Sequence, residues 1–302
     1  MRNYEFVTVN VFTGTRFAGN PLAVVLEAAG LGDAEMQAIA AEFNLSETAF
    51  VLPPDDPRHH ARVRIFSRTA EMPFAGHPNV GTGFVLASMA GDPPDHYTFE
   101  EMAGLVRVHI VRDGSGAIAG ARVAAPRSLT IGIAIPTETV AACAGLAAED
   151  IATLSHTPLV ASVGTPFVLA EVSSVAALSR AVPDTGAFRV AAGQFPVFEG
   201  QISLYLYAWT GGDERRLRAR MFAPLGGTWE DAAAGSAAAA LAGLLTSIAP
   251  GDNLALQYAI EQGVEMGRPS MIIASAVKTG EGPVSASVAG SCVRATRGTL
   301  EV

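Results

Sequence analysis

Two similar segments of the chain could bind a small anion. They read Arg64-Ile65-Phe66-Ser67 followed by Glu71-Met72-Pro73-Phe74-Ala75-Gly76-His77, and Arg220-Met221-Phe222-Ala223 followed by Glu230-Asp231-Ala232-Ala233-Ala234-Gly235-Ser236. In each segment a glycine, Gly76 or Gly235, opens an apolar helix. Unpaired backbone N–H groups and the helix dipole favour an anion at such an opening. Two such openings predict a site for a small carboxylate, whereas either glycine alone could be an ordinary turn residue.

Glu47 is a candidate proton carrier. It lies in the run Asn44-Leu45-Ser46-Glu47-Thr48-Ala49-Phe50, between a predicted helix end and an apolar strand. A carboxylate that loses water at the edge of such a strand has a raised pKa, which suits it to acid/base work. The alternative from spacing alone is a solvated acid at the start of a strand.

His77 is a candidate substrate ligand because it follows the helix-opening Gly76 and precedes Pro78. A neutral imidazole at this point could hydrogen-bond a substrate, and the alternative is a capping histidine. The other five histidines lie in loops or singly in strands, without the spacing of metal ligands. We therefore expect no metal and no other cofactor, and an activity that survives chelation.

Composition and charge exclude several classes of protein. The chain has 302 residues, 49% of them hydrophobic and 16% charged, so it can bury large cores. Its net charge of -9 and the absence of a long Lys/Arg run argue against a nucleic-acid partner. The sequence has no signal-peptide pattern and no long apolar stretch, and its two cysteines are far apart. These features predict a soluble cytoplasmic protein without a membrane partner.

Strand patterns dominate the chain, with one prominent apolar helix in each half. A helical spacing follows Asp33, which we expect to be the N-cap. The two prominent helices are predicted over residues 79–90 and from about Ser236 to Ile248. This arrangement differs from the strict strand–helix alternation of a doubly wound parallel sheet.

The two anion-binding segments also form an internal repeat. Arg64 and Arg220 are 156 residues apart, whereas Gly76 and Gly235 are 159 apart, so a three-residue insertion near residues 226–227 reconciles the two offsets. The repeat predicts two homologous domains, residues 1–125 and 126–302, and the last strand could return to the first domain. It also predicts that the two helix openings approach each other across a cleft.

The chain resembles the PhzF-like phenazine biosynthesis isomerase family along almost its full length. The runs that carry the resemblance are Asn10-Val11-Phe12-Thr13, Gly19-Asn20-Pro21-Leu22-Ala23-Val24, Asn44 to Phe50, Pro73-Phe74-Ala75-Gly76-His77-Pro78, Glu230-Asp231 through Gly235-Ser236-Ala237, Gln262-Gly263 and Met266-Gly267-Arg268-Pro269-Ser270. Their common order makes the resemblance far more specific than any single motif.

The resemblance implies an α+β fold similar to diaminopimelate epimerase. That fold has two pseudo-symmetric domains, each a curved, mostly antiparallel sheet or barrel around a central helix, with the active site in the cleft between them. The family's best-known member isomerises trans-2,3-dihydro-3-hydroxyanthranilate as a homodimer, without metal or organic cofactor. By this likeness Glu47 is the acid/base, and Gly76, His77, Asp231, Gly235 and Ser236 bind a small anionic substrate.

One departure from the family pattern affects the second helix opening. The usual Glu-Asp-Pro-Ala-Thr-Gly-Ser reads with Ala232 and Ala234 in place of Pro and Thr. The change bears on loop rigidity or a substrate contact, and so on the identity of the substrate more than on the type of reaction.

Two other functions compete with the isomerase interpretation. An amino-acid epimerase of the same fold resembles the chain at both helix openings but carries a cysteine where Ala75 and Ala234 stand, so a two-thiol mechanism lacks its bases here. A non-catalytic carboxylate-binding protein would gain nothing from a second carboxylate, Glu47, close to its ligand.

Overall fold

The protein forms two compact units in a computed structural model that describes residues 1–212 and 215–302. Unit 1 consists of Met1–Pro126 together with Val288–Val302, and unit 2 is Arg127–Ser287. In the described part of the chain, no helix has both the length and the apolar character needed to cross a membrane.

Eighteen strands and six α-helices make up the regular structure of the described residues. The strands are β1 Asn3–Val11, β2 Asn20–Val25, β3 Glu47–Leu52, β4 Ala61–Ser67, β5 Glu71–Met72, β6 His96–Glu101, β7 Gly104–Arg112, β8 Ile118–Ala124, β9 Thr130–Ala134, β10 Ile151–Ala152, β11 Leu159–Ser162, β12 Pro166–Val172, β13 Leu204–Trp209, β14 Arg216–Ala223, β15 Thr228–Asp231, β16 Asn253–Gln262, β17 Ser270–Thr279 and β18 Ser285–Glu301. The helices are α1 Asp33–Phe43, α2 Gly76–Met89, α3 Thr137–Ala144, α4 Val175–Arg180, α5 Thr185–Gln194 and α6 Gly235–Ile248. This content confirms the α+β class.

Unit 1 contains a closed barrel of eight strands. Around the barrel the order is β1, β2, β3, β4, β6, β7, β8 and β18, and β18 pairs back onto β1. All neighbours whose register is given run antiparallel except β2–β3 and β4–β6, which run parallel. Closure leaves the barrel without a free sheet edge.

Helix α2 is the central helix of unit 1. Eleven of its fourteen residues are buried, and it packs against β1, β2, β3, β7 and β8. Small residues allow this close packing, since a Cβ added at Gly81 would lie 2.6 Å from Leu22 and one at Gly83 would lie 2.6 Å from Val108. The backbone freedom of these glycines costs about 0.5–1 kcal/mol each in a helix, and the close approach to the barrel wall offsets that cost.

Unit 2 repeats the same strand order around α6. Neighbouring strands are β9, β11, β12, β13, β14, β16 and β17, with parallel pairs at β12–β13 and β14–β16. Helix α6 also has eleven of fourteen residues buried, and it packs against β11, β12, β16 and β17. A hydrophobic cluster in unit 2 lies between helices α3–α5 and the strands. It includes Leu178, Phe188 and Leu206.

The pairing register supports the internal repeat. Ile65 pairs with Met72 in unit 1, and Met221 pairs with Asp231 in unit 2. Ile65 and Met221 are 156 residues apart, whereas Met72 and Asp231 are 159 apart. The difference arises because the β14–β15 connection contains the 3₁₀ turn Pro224–Gly226. The sequence repeat is therefore also a repeat of strand pairing.

Several predicted element bounds differ from the structure. Asp33 is the first residue of α1 and Gly32 is its N-cap, whose N–H donates to Oε2 of Glu35 over 2.9 Å. Helix α2 begins at Gly76, three residues before the predicted start, because a proline such as Pro78 is tolerated in the first turn of a helix. Helix α5 and strands β5, β9, β10, β15 and β16 were not predicted. In α5, two glycines weaken the helical pattern.

Candidate active site

Unit 1 brings Glu47 and His77 into contact. Glu47 is the first residue of β3, and His77 lies in the first turn of α2. The distance from Oε2 of Glu47 to Nε2 of His77 is 3.3 Å, and the two side chains are only 16% and 4% exposed. The prediction of a solvated acid at the start of the strand therefore does not describe Glu47.

Burial favours a neutral imidazole at His77, and the contact with Asn20 bears on its tautomer. Burial lowers the pKa of His77 to about 3. Nδ2 of Asn20 lies 3.4 Å from Nδ1 of His77, and with the amide in this orientation its nitrogen donates and Nδ1 accepts. The proton then resides on Nε2, on the side of Glu47. Among the residues that the structure describes, none forms a regular hydrogen bond with Nε2, so this N–H can donate to a substrate.

The charge state of His77 can be tested directly. We expect its ring nitrogens to keep the ¹⁵N shifts of a neutral imidazole from pH 8 down to pH 5, with His77→Gln identifying the resonances. Because the unfolded chain takes up a proton near pH 6.5 and folded His77 does not, the wild type should lose stability relative to His77→Gln as pH falls from 6.5 toward 3. The limiting slope is about 1.4 kcal/mol per pH unit. Titration of His77 near pH 6.5 in the folded protein would contradict the prediction.

The opening of α2 has free helix donors rather than a side-chain cap. Its N-cap is Ala75, in an extended conformation, and no side chain caps the first turn. The preceding loop is held by the N–H of Ala103, which donates to the carbonyl of Pro73 over 3.0 Å. Gly76 and His77 thus present backbone N–H groups at the positive end of a buried helix dipole.

Unit 2 places Asp231, Gly235 and Ser236 around the opening of α6. Asp231 ends β15 and is buried, while Gly235 and Ser236 are the first two residues of the helix. The Asp231 carboxylate lies near Tyr205, where its charge adds to burial in raising the pKa of the phenol.

Gln262 fixes the loop that leads into α6. Its Nε2 donates to the carbonyl of Asp231 over 2.8 Å, and its Oε1 accepts from the N–H of Ala234 and the hydroxyl of Tyr205. The hydroxyl of Ser270 also donates to a carbonyl of this loop. A fully buried amide with both ends engaged holds the backbone between β15 and α6 in one conformation.

Glu47 of unit 1 has no carboxylate counterpart in unit 2. Phe50 pairs with Arg64 in unit 1, and Leu206 pairs with Arg220 in unit 2, so Phe50 and Leu206 occupy equivalent positions. Glu47 lies three residues before Phe50, and the residue three before Leu206 is Ser203. The two cysteines lie elsewhere, Cys143 in α3 and Cys292 in β18. Burial raises the pKa of both thiols, that of Cys143 to about 11. Neither helix opening therefore carries a thiolate of the kind that a two-thiol epimerase needs.

The described residues also contain no group of three or more His, Cys, Asp or Glu side chains that could hold a metal ion.

Sequence reasoning gave no role to Asn20 or Gln262, although both lie in quoted family motifs. The signal that could have found Gln262 is the repeat itself, since Ile260-Glu261-Gln262 matches Phe99-Glu100-Glu101.

A family model described as a phenazine biosynthesis-like protein, PhzC-PhzF, matches residues 9–298. The chain belongs to the PhzC-PhzF family. A curated relative, the uncharacterized isomerase mll1393 of Mesorhizobium japonicum, is 40% identical to this PhzF-family chain over 306 residues, covering 99% of each. The trans-2,3-dihydro-3-hydroxyanthranilate isomerase of Pseudomonas chlororaphis is 34% identical over 300 residues, covering 98% of this chain and 99% of its own.

A solved structure of a PhzF-family protein has the same fold as this chain. The PhzF-family phenazine biosynthesis protein of Bacillus anthracis superposes with a TM-score of 0.88, covers 100% of each chain and is 23% identical. The curated relatives are named as isomerases, and this PhzF-family chain is an isomerase.

Proposed function

We propose that this PhzF-family isomerase moves a proton between two carbons of a small carboxylate substrate, without metal or organic cofactor. The substrate class is that of the Pseudomonas chlororaphis relative, a cyclic, unsaturated amino acid. The observation that carries the proposal is the contact between Glu47 and neutral His77 at the opening of α2.

Glu47 is the proposed acid/base. The carboxylate takes a proton from one carbon as that C–H bond breaks, and the same carboxyl group returns it to a second carbon as the new C–H bond forms. A single group suffices if both carbons stay within its reach on one face of the substrate. The assignment of Ser203 as the counterpart of Glu47 supports a one-base reaction.

The other predicted site residues bind and orient the substrate in this proposal. The Nε2–H group of His77 donates to a polar substituent, and Asp231 binds a second one. At the opening of α6, Ser236 and the backbone N–H of Gly235 are the proposed carboxylate ligands, and at the opening of α2 the backbone N–H of Gly76 is a proposed substrate donor. Glu47 alone transfers protons to and from the substrate carbons in this proposal.

Proton NMR of substrate turnover in deuterated water tests the proposal. The protein is first treated with a chelator to remove metal ions. It is then incubated with a panel that includes trans-2,3-dihydro-3-hydroxyanthranilate and related cyclic unsaturated acids. One member should be isomerised, and its product should contain less than one deuterium per turnover, because a single base returns part of the original proton. Heat-denatured protein is the control.

Two outcomes would contradict the proposal. Full deuteration at an inverted carbon, with the double bonds unmoved, would indicate a two-base epimerase. Activity that disappears on chelation and returns with one specific metal would show that the reaction depends on that metal.

A further inference from the structure

Glu101, at the end of β6, is a partly exposed residue with a buried carboxyl group, and it has no role in the proposed reaction. Both of its carboxyl oxygens are inaccessible to solvent and have no hydrogen-bond partner among the described residues. It lies next to Asn79, in the first turn of α2, two residues after His77. A buried carboxyl group beside the helix that carries His77 requires a physical explanation.

The repeat gives Glu101 a counterpart of known role. In the parallel pair β4–β6, Arg62 is opposite Glu100, and in the parallel pair β14–β16, Arg218 is opposite Glu261. The next residue along is Glu101 in unit 1 and Gln262 in unit 2. Gln262 is the amide that fixes the loop before α6 through one donated and two accepted hydrogen bonds.

We propose that Glu101 is a positioning residue that holds the opening of α2, and with it His77, as a neutral carboxylic acid in the place that Gln262 occupies in unit 2. A protonated carboxyl group has both a donor and an acceptor, as an amide does, whereas a carboxylate can only accept. The activity part of this inference rests on the proposed function, but the protonation state does not.

A shortage of hydrogen-bond donors around Asn79 and Glu101 is the first reason for a proton on Glu101. Nδ2 of Asn79 donates to the carbonyl of Ala75 over 3.1 Å, which anchors the N-cap of α2. Oδ1 of Asn79 is buried and has no donor among the described residues. Both carboxyl oxygens of Glu101 are likewise buried without a hydrogen-bond partner among the described residues. These buried acceptors lack a donor, and the O–H of a protonated Glu101 would supply one.

The second reason is that Glu101 has no basic partner among the described residues. Glu101 lines a cavity of about 410 Å³ together with Asp33 of α1, Asp55, Arg62 and Arg64 of β4, Glu71 of β5 and Glu100. Acids outnumber bases there, and both bases are engaged. Arg64 bonds to Asp33 and Glu71, and Arg62 lies 3.6 Å from Asp55. Glu100 pairs with His59.

Burial is the main influence on the titration of Glu101. It raises the pKa of Glu101 to about 8, and the neighbouring amide of Asn79 opposes this shift in part. The folded protein therefore keeps a proton that the unfolded chain releases near pH 4.5. Stability consequently falls as pH rises from about 4.5 to about 8 and then stays level, because only the folded state binds the proton in that window.

The experiment uses three variants of the full chain. Glu101→Gln keeps the donor and the acceptor, Glu101→Ala removes both, and Glu42→Gln is the control, since Glu42 is an exposed acid on α1. Carboxyl ¹³C NMR of glutamate-labelled protein follows the titration. Thermal melts from pH 5 to 9 follow stability, and KM and kcat over the same range are measured with the panel member that the wild-type protein isomerises.

We expect one carboxyl resonance to titrate near pH 8 in the wild type and to be absent from Glu101→Gln. The melting temperature of the wild type should fall between pH 5 and 8 relative to Glu101→Gln, and Glu42→Gln should follow the wild type. Above pH 8 the wild type should show a rising KM with a smaller change in kcat, whereas Glu101→Gln should keep a level KM. Glu101→Ala should raise KM several-fold already at pH 7.

Titration of Glu101 near pH 4.5 would overturn the proposal, as would a Glu101→Gln variant whose pH profiles match the wild type. A Glu101→Gln variant as impaired as Glu101→Ala would also overturn it. The NMR titration and the melts need no substrate, so they decide the protonation state even if Glu47 is not the base.

Discussion

Glu47→Gln is expected to bind the substrate with nearly wild-type affinity and to turn it over roughly 10²–10⁴-fold more slowly, the usual range for loss of a general acid/base. The amide keeps the size and the hydrogen-bonding reach of the side chain beside His77, so substrate binding should survive. It cannot accept a proton from carbon, so the chemical step should fail. Calorimetric titration gives the affinity, and single-turnover kinetics gives the rate of the chemical step.

The repeat offers a matched control for this variant. Ser203 is the unit 2 counterpart of Glu47, and Ser203→Ala should leave turnover within a few-fold of the wild type. If Glu47→Gln turned over normally on the true substrate, Glu47 would not be the base, and His77 or Asp231 would have to be considered instead. Equal losses in both variants would contradict the one-base interpretation.

Arg220→Ala is expected to lower the free energy of unfolding of unit 2 by about 3–5 kcal/mol, the usual loss when one partner of a buried ion pair is removed. Arg220 binds Glu230 through two bonds of 2.8 and 2.9 Å, and both side chains are 8% exposed. Its Nη1 also donates to the carbonyl of Ala181 over 2.7 Å, and its guanidinium lies over the ring of Phe222. Removal leaves Glu230 as an uncompensated buried charge.

Arg64→Ala is the matched variant in unit 1. Arg64 makes the same two-bonded contact with Glu71 and lies over Phe66, but its side chain is 16% exposed and that of Glu71 is 24% exposed. We expect a smaller loss, about 1–2 kcal/mol, because water can partly solvate the remaining acid.

Urea denaturation can separate the two losses. Both tryptophans of the chain, Trp209 and Trp229, belong to unit 2, so their fluorescence follows Arg220→Ala, while far-ultraviolet circular dichroism follows both variants. Arg220→Lys should lie between Arg220→Ala and the wild type, because an ammonium group keeps the charge but not the paired geometry. A loss below about 1 kcal/mol for Arg220→Ala would mean that the buried pair is not needed for stability.

The sequence predicted the parts of the site that depend on local pattern. Glycines that open apolar helices identified Gly76 and Gly235, and the edge of an apolar strand identified Glu47. It could not predict the contact of Glu47 with His77, because the parallel pairing of β2 with β3 and the path of α2 bring these distant residues together. The same is true of Asn20, which sets the tautomer of His77 from a third element.

The bounds of elements were least predictable where burial outweighs local preference. Helix α2 begins at Gly76 because the barrel buries its first turn, including the proline. Helix α5 has a weak pattern of small residues and is stabilised by Phe188, which packs in the hydrophobic cluster beside α3 and α4. Such tertiary effects override propensities that differ by less than about 1 kcal/mol per residue.

The closure of the unit 1 barrel by β18 has a consequence for biosynthesis. Strands β1 to β8 leave the ribosome before unit 2, but β18, which pairs with both β1 and β8, follows it. Unit 2 is a continuous segment and can fold while unit 1 still has two open sheet edges. During that interval the exposed edges of β1 and β8 can pair with other chains, so nascent-chain aggregation is the hazard of this topology.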